Sequence, residues 1–155
     1  MTVKDAFWRE IKYGLCGASG ALRTYVDQDH VAVDARDDID AEQSEDDYLW
    51  LIITRIIRTE ENDTGWTRDR LQLELIGLLR SANVGDDNLE AAAKILKNHF
   101  IGKHITIGKF SATGTAEPNG GLRVKCEYID TVDGFTADVR EKSLILQFAA
   151  HHMQE

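Results

Sequence analysis

YLWLIITRIIRTEENDTGWTRDRLQLELIGLL, residues 48–79, is the stretch on which the fold turns. In RLQLEL (70–75) Leu71, Leu73 and Leu75 alternate with Arg70, Gln72 and Glu74. A period of two puts one face of a strand in the core and the other in water. Its neighbour LWLIITRIIR (49–58) is apolar on both faces for most of its length. That suits a central strand covered on both sides, or one whose outer face meets a partner. Between them EENDTGWT (60–67) carries the turn formers Asn62, Asp63 and Gly65. The stretch predicts a β-hairpin with Trp66 in its loop, where a tryptophan either folds back on the sheet or anchors an interface.

Working outward, Thr2 and Asp5 have capping-box spacing, with Asp in place of the usual Glu. Val3, Ala6, Phe7, Ile11 and Leu15 follow as one apolar stripe, which predicts a helix of about three turns. Gly14, Gly17 and Gly20 disfavour its continuation. ALRTYVDQDHVAV (21–33) reads as a helical turn and then a brief strand. GDDNLEAAAKILKNHFIG (85–102) predicts a helix with Asp87 at its N-cap, Leu89, Ala92, Ala93, Leu96 and Phe100 as its buried stripe, and Gly102 at its end. HITIGKFS (104–111), LRVKCEY (122–128) and SLILQFAA (143–150) are three further strands, and Asp133-Gly134 signals a turn before the last. Strands in hairpins with helices inserted predict an α+β fold: one domain over 1–155, with a mostly antiparallel or mixed sheet packed by two or three helices.

The net charge of −9 is unevenly spread. Residues 27–63 hold 13 acids against three Arg, a balance of −10, and the remaining 14 acids and 15 bases nearly cancel. The tract DARDDIDAEQSEDD (34–47) alone has eight acids and one Arg. Such a run is a solvated loop, a cation site, or an acidic surface that repels nucleic acid or docks on a basic partner. Asp38, Asp40 and Glu42 alternate like the start of a calcium loop, but the glycine and the terminal Glu that such a loop needs are missing. Cys16 and Cys126 lie far apart without CxxC spacing and read as reduced core thiols of a cytosolic protein. The N-terminal MTVKDAFWREIK lacks an apolar leader segment, and no apolar run approaches the roughly 18 residues of a membrane span.

Enzyme signatures fail one by one. GASGA (17–21) has alanine where a nucleophile elbow needs its second glycine, and phosphate-cradle, dinucleotide and zinc-hydrolase motifs do not occur. His99 and His104 are separated by a helix end, and the adjacent His151 and His152 read as a solvated tail. No ligand set for a metal and no cofactor motif emerges from these residues.

The order of these elements resembles the tail terminator proteins of long-tailed bacteriophages and related tail-like particles. The residues that carry the resemblance are RLQLELIGLLRSANVGDDNLEAAAKILKNHFIG (70–102) and the closing GFTADVREKSLILQFAA (134–150). The chain departs from that pattern before the first long strand: the family often has a proline there, whereas AEQSEDDYLW (41–50) takes its place and the sole proline is Pro118. The resemblance implies a non-enzymatic homo-oligomeric ring, usually a hexamer, assembled in the host cytoplasm and carried in the virion. Such a ring caps the tail tube, ends its polymerisation and meets a head-completion or neck protein. DNA passes through its lumen without specific binding, and neither a cofactor nor a membrane is involved. Asp37, Asp38, Asp40 and Glu42 are then candidates for an acidic lumen or surface. Glu60, Glu61, Asp63, Trp66 and Arg68, for which no core duty follows from the pattern, are candidates for the subunit or tail interface. The alternatives are a head-closure or neck adaptor protein and an acidic inhibitor of the immunity type.

Overall fold

The computed structural model describes residues 2–34, 49–61, 65–78, 84–133 and 141–153, with the backbone alone at 55–61, 78, 84–87, 141 and 142. An α-helix, α1 (Val3–Arg9), begins at the Thr2 cap, whose hydroxyl accepts from the Asp5 amide at 3.1 Å. It widens into a π-helical turn over Glu10–Leu15, where the Cys16 amide donates to the Ile11 carbonyl. A 3-10 turn (Ala21–Thr24) leads into β1 (Val26–Val33). The hairpin strands β2 (Leu49–Glu61) and β3 (Trp66–Leu78) follow. Then come α2 (Val84–Phe100), β4 (His104–Ile107), β5 (Leu122–Asp133) and β6 (Glu141–Met153). These described strands form one mixed sheet in the order β1-β2-β3-β6-β5-β4. β1 lies parallel to β2, and the other four pairings are antiparallel. The fold is α+β, as the hairpin-and-helix order predicts.

Both helices lie on one face. Phe7 of α1 packs on Phe100 of α2 at 4.8 Å between ring centroids, and Phe100 reaches Phe148 of β6 at 6.4 Å. Leu49, Leu51 and Ile53 of β2 join this core with Leu71, Leu73 and Leu75 of β3 and Leu146 and Phe148 of β6. The predicted stripe of α2 is buried as read, from Leu89 to Phe100. Gly77 supplies the room for it: a Cβ there would stand 3.0 Å from Leu49 and 3.6 Å from Leu89. On the opposite face Trp50, Ile52 and Ile76 make a separate buried cluster, and the His30 ring stacks on Trp50 at 4.2 Å and 5°. The two-faced apolarity of β2 thus reflects a central strand with a core on each side.

Four readings need correction. Trp66 is not in the hairpin loop: Glu60 and Glu61 extend β2, Trp66 opens β3, and only 62–65 separate the strands. β6 holds β3 along its whole length, from Trp66↔Met153 to Leu78↔Glu141, and this third strand keeps the tip of β3 in ladder geometry. α2 starts at Val84, which puts Asp87 inside the first turn rather than at the cap. β4 stops at Ile107 because Gly108 turns to positive φ, so the strand does not reach Ser111. His151 and His152 are the last rungs of β6, not a tail. Among the described residues no helix is long and apolar enough to cross a membrane.

Candidate interaction surface at the hairpin end of the sheet

The end of the sheet nearest the β2–β3 turn combines two layers with opposite chemistry. On the helix-covered face, the alternation of β3 carries backward from Leu71 to Asp69, and that of β6 carries forward from Phe148 to His152. Both polar side chains are therefore driven into the core, Asp69 with no exposure and His152 at 3%. They meet there: His152 Nε2 lies 2.8 Å from Asp69 Oδ2, and His152 Nδ1 lies 2.9 Å from the Met153 carbonyl oxygen. Each ring nitrogen faces an oxygen acceptor, so the ring's N–H is used within the fold. A histidine with both nitrogens engaged and 3% exposure is closed to a substrate. The pair holds the ends of β3 and β6 together.

On the outer face, strand register sets a row across four strands. Arg68 pairs with His151, His151 with Lys125, and Lys125 with His104. Directly paired residues share a face, so the four side chains line up. Arg70 and Arg123, two residues away on β3 and β5, project from that same face and are exposed. Glu127 is a carboxylate among them, with Oε2 3.4 Å from His151 Nε2. That separation suits an ion pair, although the geometry does not make a hydrogen bond. Four permanent cations, Arg68, Arg70, Arg123 and Lys125, thus share this face with Glu127 and, through its pairing with Arg68, with the Glu60 position, in a chain of net charge −9. Trp66 is half-buried and its ring lies 6.4 Å from that of His104, three strands away in the sheet order. It folds back across the sheet end. Met153, which pairs with Trp66, is 46% exposed.

Of the sequence-derived interface candidates, Glu60, Glu61, Trp66 and Arg68 do converge on this end, at the pairings Glu60↔Arg68 and Glu61↔Thr67. Asp63 lies outside the described residues, as do Asp37, Asp38, Asp40 and Glu42. Asp69, His151, His152 and Lys125 were missed as candidates. The signal was present: extending the two strand registers by one rung at each end puts Asp69 and His152 on the apolar side.

Two other groups are explained by packing. Glu10, on the wide helical turn, lies 3.1 Å from His99 Nε2 with one oxygen and accepts from the Gly108 amide at 3.2 Å with the other. It ties α2 and the loop after β4 to the N-terminal helix. Cys16 and Cys126 are buried and unbridged. Burial pushes both thiols from 9.0 up to about 12, with the Asp27 carboxylate adding to the rise at Cys16. The unfolded chain releases these protons above about pH 9 and the folded chain keeps them, so stability should fall as pH rises from about 9 toward 12. We expect a loss of about 1.4 kcal/mol per pH unit for each thiol. Urea midpoints at pH 8 and pH 10.5 should converge between the wild type and Cys16→Ala/Cys126→Ala, and parallel declines would refute the assignment. Among the described residues no group of three or more His, Cys, Asp or Glu could hold a metal ion.

No family model matches this chain. No curated protein matches it either. Among solved structures, a chain known only by a sequence identifier is similar at 17% identity over 70% of this chain and 68% of that one, with a TM-score of 0.38. A likeness of that size carries no argument about fold or function.

Proposed function

We propose that the chain is a ring-forming terminator of a phage tail tube, which ends polymerisation of the tube and joins it to the head-side neck. The reading rests on the resemblance of RLQLELIGLL and LEAAAKILKNHF, in their order, to that family. The observation that supports it best is the open outer edge of β5. β4 pairs with Leu122–Lys125 only. From Glu127 to Asp133, β5 has β6 on one side and no described strand on the other. Two large apolar side chains of that segment, Tyr128 at 40% and Val132 at 37%, stand exposed. An unpaired strand edge with apolar side chains is a template for another chain, and a neighbouring subunit of a ring is one chain that could use it.

Addition of the protein to polymerising tail-tube subunits should yield tubes of limited length, each with a ring on one end in negative-stain images. Tubes of unchanged length and a chain that stays monomeric beside them would overturn the reading. Trp66→Ala combined with Glu60→Ser and Glu61→Ser should keep the far-ultraviolet spectrum and reduce ring formation or neck joining severalfold. Met153→Ser, at an exposed position, serves as the milder variant of the same end. Normal assembly of both variants into full tails would remove the hairpin end from the interface.

A further inference from the structure

The two charge anomalies of this chain are complementary. One is the tract DARDDIDAEQSEDD (34–47), with eight acids against one Arg. The other is the outer-face row Arg68–His151–Lys125–His104, flanked by Arg70 and Arg123, with Glu127 beside His151 and Glu60 paired with Arg68 at its β2 end. We propose that this row is the docking surface for the acidic tract of a second copy of the chain, so that each subunit offers its acids to the next one's cations. The inference rests on the ring reading for its biological setting and on the register of the sheet for its chemistry.

Three features favour an acidic protein segment as the occupant. The row is transverse to the strands, and neighbouring strands stand about 4.8 Å apart. Its four positions therefore span roughly 14 Å, which an extended peptide covers with four or five residues at about 3.3 Å each. In DDIDAE (37–42) the acids Asp38, Asp40 and Glu42 alternate, so an extended chain would turn all three toward one surface. Lys125, His104 and Arg123 are exposed, and Arg68 keeps its contacts within the fold while contributing its charge. A chain of net charge −9 repels a nucleic acid at long range, whereas a local pairing of opposite patches works over about a Debye length. A tract that reaches the row of the next subunit makes a head-to-tail contact, the kind that closes rings.

The test uses the full chain and a synthetic peptide, DARDDIDAEQSEDD. The peptide should bind the wild type and lose roughly tenfold or more in affinity with Arg123→Glu/Lys125→Glu, since like charges then face each other. Self-association, measured by mass photometry at 50 and 500 mM salt, should weaken with salt and with that variant. A second variant, Asp38→Lys/Asp40→Lys/Glu42→Lys, should be equally impaired, and mixing the two should restore association. Peptide binding unaffected by Arg123→Glu/Lys125→Glu, or no peptide binding at all, overturns the proposal. Binding of single-stranded DNA to the row in preference to the peptide overturns it as well. Rings that form regardless of salt and charge reversal leave the terminator reading standing and remove this contact. Charge-dependent association without any effect on tail tubes does the reverse.

Discussion

Replacement of His152 by alanine should lower the free energy of unfolding by about 1–3 kcal/mol, because the buried Asp69 carboxylate loses the His152 Nε2 contact at 2.8 Å. Asp69 has no exposure, and its 2.8 Å contact to His152 Nε2 lies inside the core. Against a typical total of roughly 5–15 kcal/mol, such a loss is a large fraction of the stability. The magnitude comes from the lost contact of a desolvated carboxylate rather than from the net value of the pair. Asp69→Leu/His152→Leu should therefore recover much of the loss, since two apolar groups replace two desolvated ones. Urea denaturation of the two single variants and the double variant decides the matter. A His152→Ala variant within about 1 kcal/mol of the wild type would show that the pair is not a closed buried unit. The pair also supports the row above it: Asp69 lies between Arg68 and Arg70, and His152 follows His151. Loosening this layer should weaken the docking surface along with the fold.

Phe100→Ala should cost about 3–5 kcal/mol through the cavity it leaves. Phe100 is fully buried and is the point at which three elements meet. Its ring lies 4.8 Å from Phe7 of α1, 6.4 Å from Phe148 of β6 and 4.9 Å from the neighbouring His99. No other described side chain joins both helices to the sheet through ring contacts. A double-mutant cycle with Phe7→Ala should show coupling of about 0.5–1.5 kcal/mol, the usual worth of an aromatic pair beyond its buried area. Independent, additive effects in that cycle would mean that α1 is held by the Glu10 bridge and backbone contacts rather than by the aromatic contact. The near-ultraviolet spectrum should lose intensity in step with the stability.

Local chemistry was legible wherever a period ran uninterrupted. The Thr2 cap, the stripe of α2, the end of α2 at Gly102 (φ +93°) and the alternation of Leu71, Leu73 and Leu75 all stand in the structure as the residues suggest. Each depends on neighbours within about four residues, and near neighbours are what periodicity reports. Where the reading failed, distant chain had intervened. Trp66 reads as loop because Asn62, Asp63 and Gly65 precede it, yet β6 arrives from more than 70 residues away and fixes it in a strand. The same strand turns His152 from an apparent tail residue into a buried partner of Asp69. Strand ends are where local signals fade and ladder partners decide.

The sequence by itself determined the α+β class, the hairpin, the helices and the separation of an acidic tract from a nearly neutral remainder, because these follow from composition and short-range period. Only the tertiary structure decided the parallel placement of β1, the packing of both helices on one face, the Asp69–His152 pair and the cationic row. Each of these requires knowing which strand lies beside which. The residues of the row come from 68, 104, 125 and 151, and no pattern along the chain links positions whose only relation is a shared rung of the sheet.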